Sequence, residues 1–371
     1  MKCLELFSGF EHMAFVEFNN HACRSLAANF DKTKVFHGDI RDFDFDNLSD
    51  IELVAGGPPC QPFSLGGKHK AYNDDRDMFP HAIHAISVLS PKAFIFENVK
   101  GLLRQSFSEY FEYILLRLRF PDCKELGSQS WESHLCDLRK ISPRHYRGTR
   151  YDVSYKLLNA ADYGIPQTRE RVVIVGIRSD LNCQWIFPNQ THSEKRLFWD
   201  QNISGQYWDK HNIHPSEKAC SSHLLHNELF APDLLPWVTV RDALYHLPEP
   251  TEPHDISDHI FRDGARIYPG HTGSLVDWPA KTIKAGGHGV PGGENMIRYE
   301  NGHIRYFTVH EAKLLQTFPS DFTITGGWGE ALRQIGNAVP VQLAAIIGQN
   351  LIETLRSESA TASCVQARKT V

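Results

Sequence analysis

The fold class is set by residues 51–64, which read Ile51-Glu52-Leu53-Val54-Ala55-Gly56-Gly57-Pro58-Pro59-Cys60-Gln61-Pro62-Phe63-Ser64. The apolar run at 51–55 is short and is followed by glycine and proline, a pattern typical of a buried parallel strand. Open α/β sheets bind ligands just beyond the carboxyl ends of such strands, and Cys60 lies at that position. Two prolines restrict the backbone immediately before the thiol. These residues predict an α/β sheet with a ligand site around Cys60.

A second strand is predicted at Ala93–Val99, and the carboxylate of Glu97 lies near its end. Between the two runs, apolar residues recur at helical spacing, at Met78, Phe79, Ala82, Ile83, Ile86 and Leu89. A strand–helix–strand unit brings Cys60 and Glu97 to the same edge of the sheet. A lone cysteine is more often a small buried hydrophobic residue, so the interpretation of Cys60 as a reactive thiol depends on this context.

Two more strands are predicted at 151–158 and 172–177, the second of them after the motif Gln167-Thr168-Arg169-Glu170-Arg171. Residues 308–319 predict a helix that is capped by a threonine and ended by a proline. The motif Gln334-Ile335-Gly336-Asn337-Ala338-Val339-Pro340 follows, and then a last amphipathic helix over 343–355. The polar tail at 356–371 is expected to be flexible.

Four of these motifs, taken in order, resemble the DNA cytosine-C5 methyltransferase family of the bacterial restriction–modification type. They are Pro-Cys-Gln at 59–61, Glu-Asn-Val at 97–99, Gln-x-Arg-x-Arg at 167–171 and Gly-Asn-Ala-Val at 336–339. The resemblance covers most of residues 1–178 and 306–350. It implies a doubly wound, Rossmann-like, S-adenosylmethionine-dependent methyltransferase domain of the α/β class, with a smaller target-recognition domain inserted at 179–305. The chain would return to the catalytic domain at 306–355.

The chemistry of the residues agrees with this resemblance. Carbon 5 of cytosine is a poor nucleophile, but a thiolate that adds at carbon 6 turns the ring into an enamine, which can attack a methyl donor. A free thiol has a pKa of about 8.5, so a nearby cation such as Arg169 or Arg171 would favour the thiolate. An acid partly protonated through burial could hydrogen-bond ring nitrogen N3, and Glu97 is the candidate.

The resemblance implies the same roles for Cys60, Glu97, Arg169 and Arg171, and Gln167 of the same motif joins the candidate catalytic residues. The target base must leave the helical stack to reach the thiol. Residues 64–73 could form a mobile loop that closes on DNA, or a plain solvated loop.

Further residues are implied as contacts to S-adenosylmethionine. Glu17 would bind the ribose hydroxyls, Phe18 would lie against the adenine, and Asp39 with Ile40 would contact the adenine edge. Pro59 would lie beside the donor methyl group. The remaining candidates are Phe7 and Gly9 in the turn after the first strand, and Asn337 and Ala338 near the carboxyl end.

One departure from the family pattern affects the cofactor side. The family has a Phe-x-Gly-x-Gly-Gly turn and a helix after its first strand, whereas residues 4–9 here run straight into 10–17. Adjacent parallel strands need a connection of a dozen or more residues. The first strand is therefore expected to pair as an antiparallel hairpin or to leave the sheet, and the cofactor half is expected to be impaired.

Bulk composition fits a protein with more than one domain. The chain has 371 residues, of which 41% are hydrophobic and 22% are charged. No apolar stretch or signal peptide indicates a membrane or secreted protein, so a cytoplasmic location is expected. The eight cysteines include no C-x-x-C pair, so neither a zinc site nor a disulfide framework is expected.

The expected partner is double-stranded DNA, although the formal net charge is −5. A basic stretch at 139–150 and the loop 281–289 could contact phosphates, and a solvated face is the alternative for such a stretch. A cognate restriction endonuclease acting on the same site and a monomeric state are also expected.

Three other functions stay open. The chain could be a catalytically impaired remnant that binds DNA, or an RNA cytosine-C5 methyltransferase. A cysteine hydrolase that pairs Cys60 with a histidine is disfavoured, because no histidine lies in a motif that points to this thiol.

Overall fold

A computed structural model describes residues 9–59, 77–127, 129–213, 230–285 and 295–368, with side chains to residue 357. Phe7, Cys60 and the predicted loop 64–73 lie outside these ranges, as do residues 286–289 of the candidate DNA-contacting loop.

Strands and helices alternate through the first half of the chain. In order, they are β1 (Phe15–Glu17), α1 (Asn20–Asn29), β2 (Val35–His37), β3 (Leu53–Gly56), α2 (Phe79–Leu89), β4 (Ala93–Val99), α3 (Ser108–Arg119), α4 (Trp131–Lys140), β5 (Tyr151–Asn159), β6 (Gln167–Thr168) and β7 (Glu170–Arg178).

The second half contains shorter elements and two longer helices at its end. These are β8 (His192–Ser193), α5 (Glu194–Asn202), α6 (Gln206–His211), β9 (Leu235–Pro236), α7 (Val240–Leu244), β10 (Ser274–Leu275), β11 (Ala280–Lys281), β12 (Met296–Arg298), β13 (Ile304–Tyr306), α8 (Val309–Leu315), α9 (Trp328–Asn337) and α10 (Val341–Arg368).

The main sheet has four strands in the order β3-β4-β7-β5. Strand β3 is parallel to β4 and is joined to it through helix α2, which confirms the predicted strand–helix–strand unit. Strand β7 is antiparallel to both of its neighbours, β4 and β5. The two further predicted strands are confirmed and are slightly longer than expected.

Both faces of this sheet are covered because successive side chains of a strand point to opposite faces. Phe94, Phe96, Val172 and Ile174 pack with α2, α3 and α4 on one face. The alternate residues of β4 and β7 pack against α10 on the other face, where Leu343, Ile347 and Leu351 are buried. This two-sided burial is the doubly wound α/β arrangement predicted from the sequence.

A second, two-stranded sheet lies in the amino-terminal part. Strands β1 and β2 are parallel, with Glu17 opposite His37, and α1 connects them. Asn19 caps α1, its side chain accepting a hydrogen bond from the Ala22 N–H. Within the described ranges, neither strand pairs with β3. The expected rearrangement of the first strand concerns residues 1–8, so it stays a prediction.

The carboxyl-terminal helices begin as the sequence predicts. Thr308 caps α8 in a capping box, with reciprocal hydrogen bonds to Glu311. Helix α10 continues to Arg368, beyond Ser357, where the polar tail begins. A helix whose buried turns have formed is extended at little free-energy cost by residues of good helix propensity. The tail contains several alanines, which explains why α10 continues into it.

Part of the carboxyl-terminal segment also meets the length and hydropathy criteria for a membrane span. In the described part of the chain one such stretch occurs, Trp328–Ser357, and half of its apolar window is buried within the protein. It is divided between α9 and α10, and Leu343, Ile347 and Leu351 pack against the main sheet. These contacts are those of a core helix.

The predicted inserted domain shares a core with the segment that follows it. Val240, Val276 and Ile297 from the 179–305 region cluster with Phe307 and Leu332 from the returning segment. A boundary at residue 305 therefore does not separate two hydrophobic cores. The division into domains stays a prediction.

Candidate active site

Glu97 forms the centre of the candidate site, near the carboxyl end of β4. Its Oε1 lies 2.5 Å from Nε of Arg171 on the neighbouring strand β7, and each of these side chains is only 13% exposed. This contact holds the Glu97 carboxylate beside β7. The role of Glu97 as an acid at ring nitrogen N3 stays a prediction.

The backbone just before Cys60 is anchored beside Glu97. Asn98 donates a side-chain hydrogen bond to the carbonyl of Pro58 at 3.1 Å. The Met78 N–H, next to α2, donates to the carbonyl of Pro59 at 3.1 Å. Cys60 is joined to Pro59 by one peptide bond, which separates consecutive Cα atoms by about 3.8 Å. The described part of the loop therefore leads to Cys60 from a fixed position.

Gly57 brings the same loop close to the acid. A Cβ built on Gly57 would lie 3.3 Å from Oε2 of Glu97, which is tighter than ordinary van der Waals contact. The Glu97 carboxylate thus lies between the Arg171 guanidinium and the Gly57 backbone. Of the two arginines proposed from the sequence, Arg171 is the one that contacts the acid.

Arg169 lies deeper and is 1% exposed. Its guanidinium donates to the carbonyls of Gly336 at 2.8 Å, Ala338 at 3.1 Å and Ile283 at 3.4 Å. Burial and the charge of Arg171 lower the pKa of Arg169 to about 9, opposed by the charge of Glu97, so Arg169 stays protonated at neutral pH. These contacts tie the Gln-x-Arg-x-Arg motif to the Gly-Asn-Ala-Val motif.

Gln167 is fully buried, and its amide is used within the protein. Its Nε2 donates to Oε1 of Gln316 at 3.1 Å and to the Leu315 carbonyl at 3.4 Å. Its Oε1 accepts from the Ile283 N–H at 3.1 Å. This arrangement favours a positioning role over contact with a substrate. Sequence reasoning did not find Gln316, although a glutamine directly after two leucines at the end of a predicted helix is a possible signal.

The residues implied on the cofactor side lie at the ends of β1 and β2. Glu17 ends β1, and its Oε1 accepts a hydrogen bond from the Asn19 N–H at 2.7 Å. The ring of Phe18 is 74% exposed and can stack on a flat ligand. The Gly38 N–H donates to the Glu17 carbonyl at 3.1 Å, so the two strand ends meet at one edge.

Asp39 follows β2 and caps a short 3₁₀ turn, Ile40–Asp42. Its carboxylate accepts hydrogen bonds at 2.9 Å from both Nε and the backbone N–H of Arg41. These bonds lower the pKa of Asp39 to about 2. These three side chains suit the parts of an adenosine. The carboxylate of Glu17 fits the ribose hydroxyls, the ring of Phe18 fits the face of the adenine, and the carboxylate of Asp39 fits its exocyclic amine.

Two other implied cofactor residues have distinctive backbone settings. Gly9 has a φ of +69°, in the left-handed region that favours glycine, which suits a tight turn. Asn337 is the exposed last residue of α9. The N–H of the next residue, Ala338, donates to the carbonyls of Gln334 and Ile335, and its own carbonyl is held by Arg169.

The basic stretch at 139–150 lies at the opposite end of the sheet. Tyr151 pairs with Arg178 and Asn159 pairs with Glu170, so this stretch leads into the end of β5 that is remote from Glu97. Glu97 lies opposite Val173, which pairs with Lys156, so at about 3.3 Å per residue Tyr151 is roughly 16 Å along the strands from the level of Glu97. Two of its cations are also engaged, Arg139 with Glu112 and Lys140 with Asp137. Contact of this stretch with DNA phosphates stays a prediction, and a solvated face is its alternative.

Comparisons with known proteins agree with this arrangement. A family model described as C-5 cytosine-specific DNA methylase matches residues 4–122 and 144–353. The chain is 29% identical over 356 residues to the Type II methyltransferase M.NgoMIV of Neisseria gonorrhoeae, spanning 95% of this chain and 93% of that protein. It is 33% identical over 255 residues to the Type II methyltransferase M.AquIA of Picosynechococcus, spanning 66% and 84% of the two chains.

A solved structure shows the same fold. The Dnmt2 methyltransferase of S. pombe superimposes with a TM-score of 0.57 at 16% identity, covering 95% of each chain. The doubly wound arrangement is therefore common to this chain and a known methyltransferase.

Proposed function

This chain belongs to the C-5 cytosine-specific DNA methylase family, and from that membership we propose a specific reaction. The enzyme uses S-adenosylmethionine as methyl donor, as this family does. It transfers the methyl group to C5 of a cytosine flipped out of a specific duplex DNA sequence, through a covalent bond to Cys60. The observation that carries the proposal is the Glu97–Arg171 pair beside the anchored backbone that leads to Cys60.

The bonds change in three stages. The thiolate of Cys60 adds to C6 of the flipped cytosine while Glu97, acting as an acid, gives a proton to N3, so the ring becomes a neutral enamine. When bound, S-adenosylmethionine would supply an electrophilic methyl group for bond formation at C5, with S-adenosylhomocysteine as the leaving group. Removal of the C5 proton by a base, departure of the thiolate from C6 and return of the N3 proton to Glu97 restore the aromatic ring and free the enzyme.

The arginines have different parts in this proposal. Arg171 orients the Glu97 carboxylate and adds positive charge near the thiolate, which lowers the cost of ionising Cys60. Arg169 and Gln167 hold the surrounding backbone, since Nη1 and Nη2 of Arg169 bind backbone carbonyls and the amide of Gln167 binds Gln316, Leu315 and Ile283.

The adenosine part of the cofactor would be held at the ends of β1 and β2. Glu17 would accept hydrogen bonds from the ribose, Phe18 would stack on the adenine, and Asp39 with Ile40 would contact its edge. Pro59, Gly9 and the turn at Asn337 and Ala338 would complete the site. Phe7 is proposed from the family resemblance alone.

Phe18→Ala is expected to raise the KM for S-adenosylmethionine by about tenfold, because stacking of a base on an aromatic ring contributes about 1–3 kcal/mol. The kcat at saturating donor should change little. Steady-state kinetics with varied donor measures both constants. Phe230→Ala, which removes another exposed phenylalanine, is the matched control and should leave this KM unchanged. An equal KM for Phe18→Ala and wild type would contradict the stacking role.

The double variant Arg144→Gln/Arg147→Gln is expected to bind duplex DNA within about twofold of wild type at fixed salt, since it removes two exposed cations at the far end of the sheet. Fluorescence anisotropy with a labelled duplex, repeated at several salt concentrations, measures the affinity and its salt slope. A weaker affinity together with a shallower salt slope would show that the basic stretch is part of the DNA-binding surface.

Methyl transfer from labelled S-adenosylmethionine tests the proposed function directly. Purified protein is incubated with unmethylated duplex DNA or with tRNA, and 5-methylcytosine is quantified by mass spectrometry. Product in duplex DNA is expected. Product in tRNA alone would identify an RNA methyltransferase, and DNA binding with no product on either substrate would identify an impaired remnant.

The Type II names of its relatives support a cognate restriction endonuclease that acts on the same site. Target recognition is proposed for the 179–305 region, and the enzyme is proposed to act as a cytoplasmic monomer.

A further inference from the structure

Three distant parts of the chain meet in one buried polar joint around Gln316. The parts are the motif beginning at Gln167, the segment that follows β11 at 280–285, and the turn between α9 and α10 at 336–338. Gln316 lies directly after α8 and is fully buried. A buried glutamine costs stability unless its amide is hydrogen-bonded, so its partners define its role.

The amide of Gln316 bonds on both sides. Its Oε1 accepts from Nε2 of Gln167 at 3.1 Å. Its Nε2 donates to the carbonyls of Ile335 at 2.7 Å and Ala338 at 3.2 Å. Its own backbone carbonyl accepts from the Val341 N–H, at the start of α10. One side chain thus fixes the end of α9, the turn after it and the Gln-x-Arg-x-Arg motif.

The 280–285 segment is held by the same motif. Strand β11 pairs in parallel with β6, with Ala280 opposite Gln167. The N–H of Ile283 donates to Gln167 Oε1, and the carbonyl of Ile283 accepts from Arg169. Both backbone polar groups of Ile283 are therefore bound to side chains of the motif.

Gly336 closes the joint by direct backbone contact. A Cβ on this residue would lie 2.7 Å from both the backbone N of Ala285 and the carbonyl carbon of Lys284. No side chain fits there, so the segment before residue 286 and the turn that carries Asn337 pack directly backbone against backbone.

We propose that Gln316 is a positioning residue that sets the place of the 336–338 turn relative to the 280–285 segment, and thereby the affinity for S-adenosylmethionine. This inference rests on the proposed function, in which Asn337 and Ala338 contact the cofactor and the region around Lys281 contacts DNA. Gln316 touches neither ligand in this scheme and acts through the carbonyls of Ile335 and Ala338.

The test is calorimetric titration of S-adenosylmethionine into wild type and Gln316→Met, which keeps the side-chain length but removes all three side-chain hydrogen bonds. The dissociation constant is expected to rise roughly tenfold, the size of effect that corresponds to losing one or two buried hydrogen bonds. The KM for the donor should rise in parallel, while kcat at saturating donor stays within about twofold of wild type.

Gln201→Met is the matched control, because Gln201 is also buried and donates to the carbonyl of Asp277 at 2.7 Å, away from the joint. Both variants should lower the melting temperature, but only Gln316→Met should weaken donor binding. Equal donor affinity in the two variants would overturn the positioning role.

Two further outcomes keep the test decisive. If Gln316→Met does not fold, Gln167→Met replaces it, since it removes the Ile283 contact but leaves Gln316 bound to Ile335 and Ala338. A smaller rise in the dissociation constant is then expected, and no rise would overturn the proposal. Failure of the wild type to bind the donor would instead reject the proposed function, on which the inference depends.

Discussion

Replacing Cys60 with serine should lower kcat for methyl transfer by about 10⁴-fold or more, as removal of a catalytic nucleophile does in other enzymes. A hydroxyl is a much weaker nucleophile than a thiolate at neutral pH, so the addition at C6 would fail. The measurement is transfer of labelled methyl groups to duplex DNA. Binding of the DNA itself should change little, because serine preserves the shape of the side chain.

Covalent trapping examines the same residue independently of turnover. With S-adenosylmethionine and DNA that contains 5-fluorocytosine, the fluorine on the methylated C5 cannot be removed as a proton is, so the enzyme–DNA adduct should persist and migrate as one band under denaturing conditions. Cys60→Ser should give no adduct. Cys136→Ser, at an exposed cysteine of α4, should trap as wild type does. An adduct that survives in Cys60→Ser would assign the nucleophile to another residue.

Glu97→Gln should lower kcat by about 10²- to 10⁴-fold, the range typical for loss of a positioned acid or base. A glutamine can hydrogen-bond to the ring but cannot exchange a proton with N3. It also leaves the Arg171 guanidinium without its carboxylate partner in a site that is only 13% exposed. Single-turnover kinetics with excess enzyme would report the chemical step, and the KM for S-adenosylmethionine should stay near its original value.

Glu170→Gln makes the same chemical change close by and serves as the control. Glu170 pairs with Lys100 at 2.8 Å, but the two side chains are 46% and 58% exposed, and surface pairs of this kind contribute little. Its kinetics should match those of wild type. Equal kcat values for Glu97→Gln and Glu170→Gln would contradict a catalytic role for Glu97.

Local sequence pattern accounts for the elements that carry Glu97 and lead to Cys60. The apolar run before Gly56, the helical spacing over 78–89 and the strand at Ala93–Val99 each appear in the structure near the predicted bounds. Each depends on periodicity within a short window, which sequence reports well. The capped helix after Thr308 was predictable for the same reason.

The functions of the arginines could not be read in this way. Arg169 and Arg171 are two residues apart, yet one binds carbonyls of residues 283, 336 and 338 while the other meets Glu97. These partners come from remote positions in the chain and depend on the antiparallel direction of β7. For the same reason, the run of cations at 139–150 does not show which edge of the sheet it joins, and the strand pairing is needed to place it.

The core shared across residue 305 has a practical consequence for any exchange of the proposed target-recognition region. A chimera that exchanges 179–305 for the matching part of a relative would pair foreign counterparts of Val276 and Ile297 with the native Phe307 and Leu332. Such mismatched packing destabilises a protein even when each of the two parts packs well in its own parent protein. The transferable cassette therefore has to extend through the helix that holds Leu332.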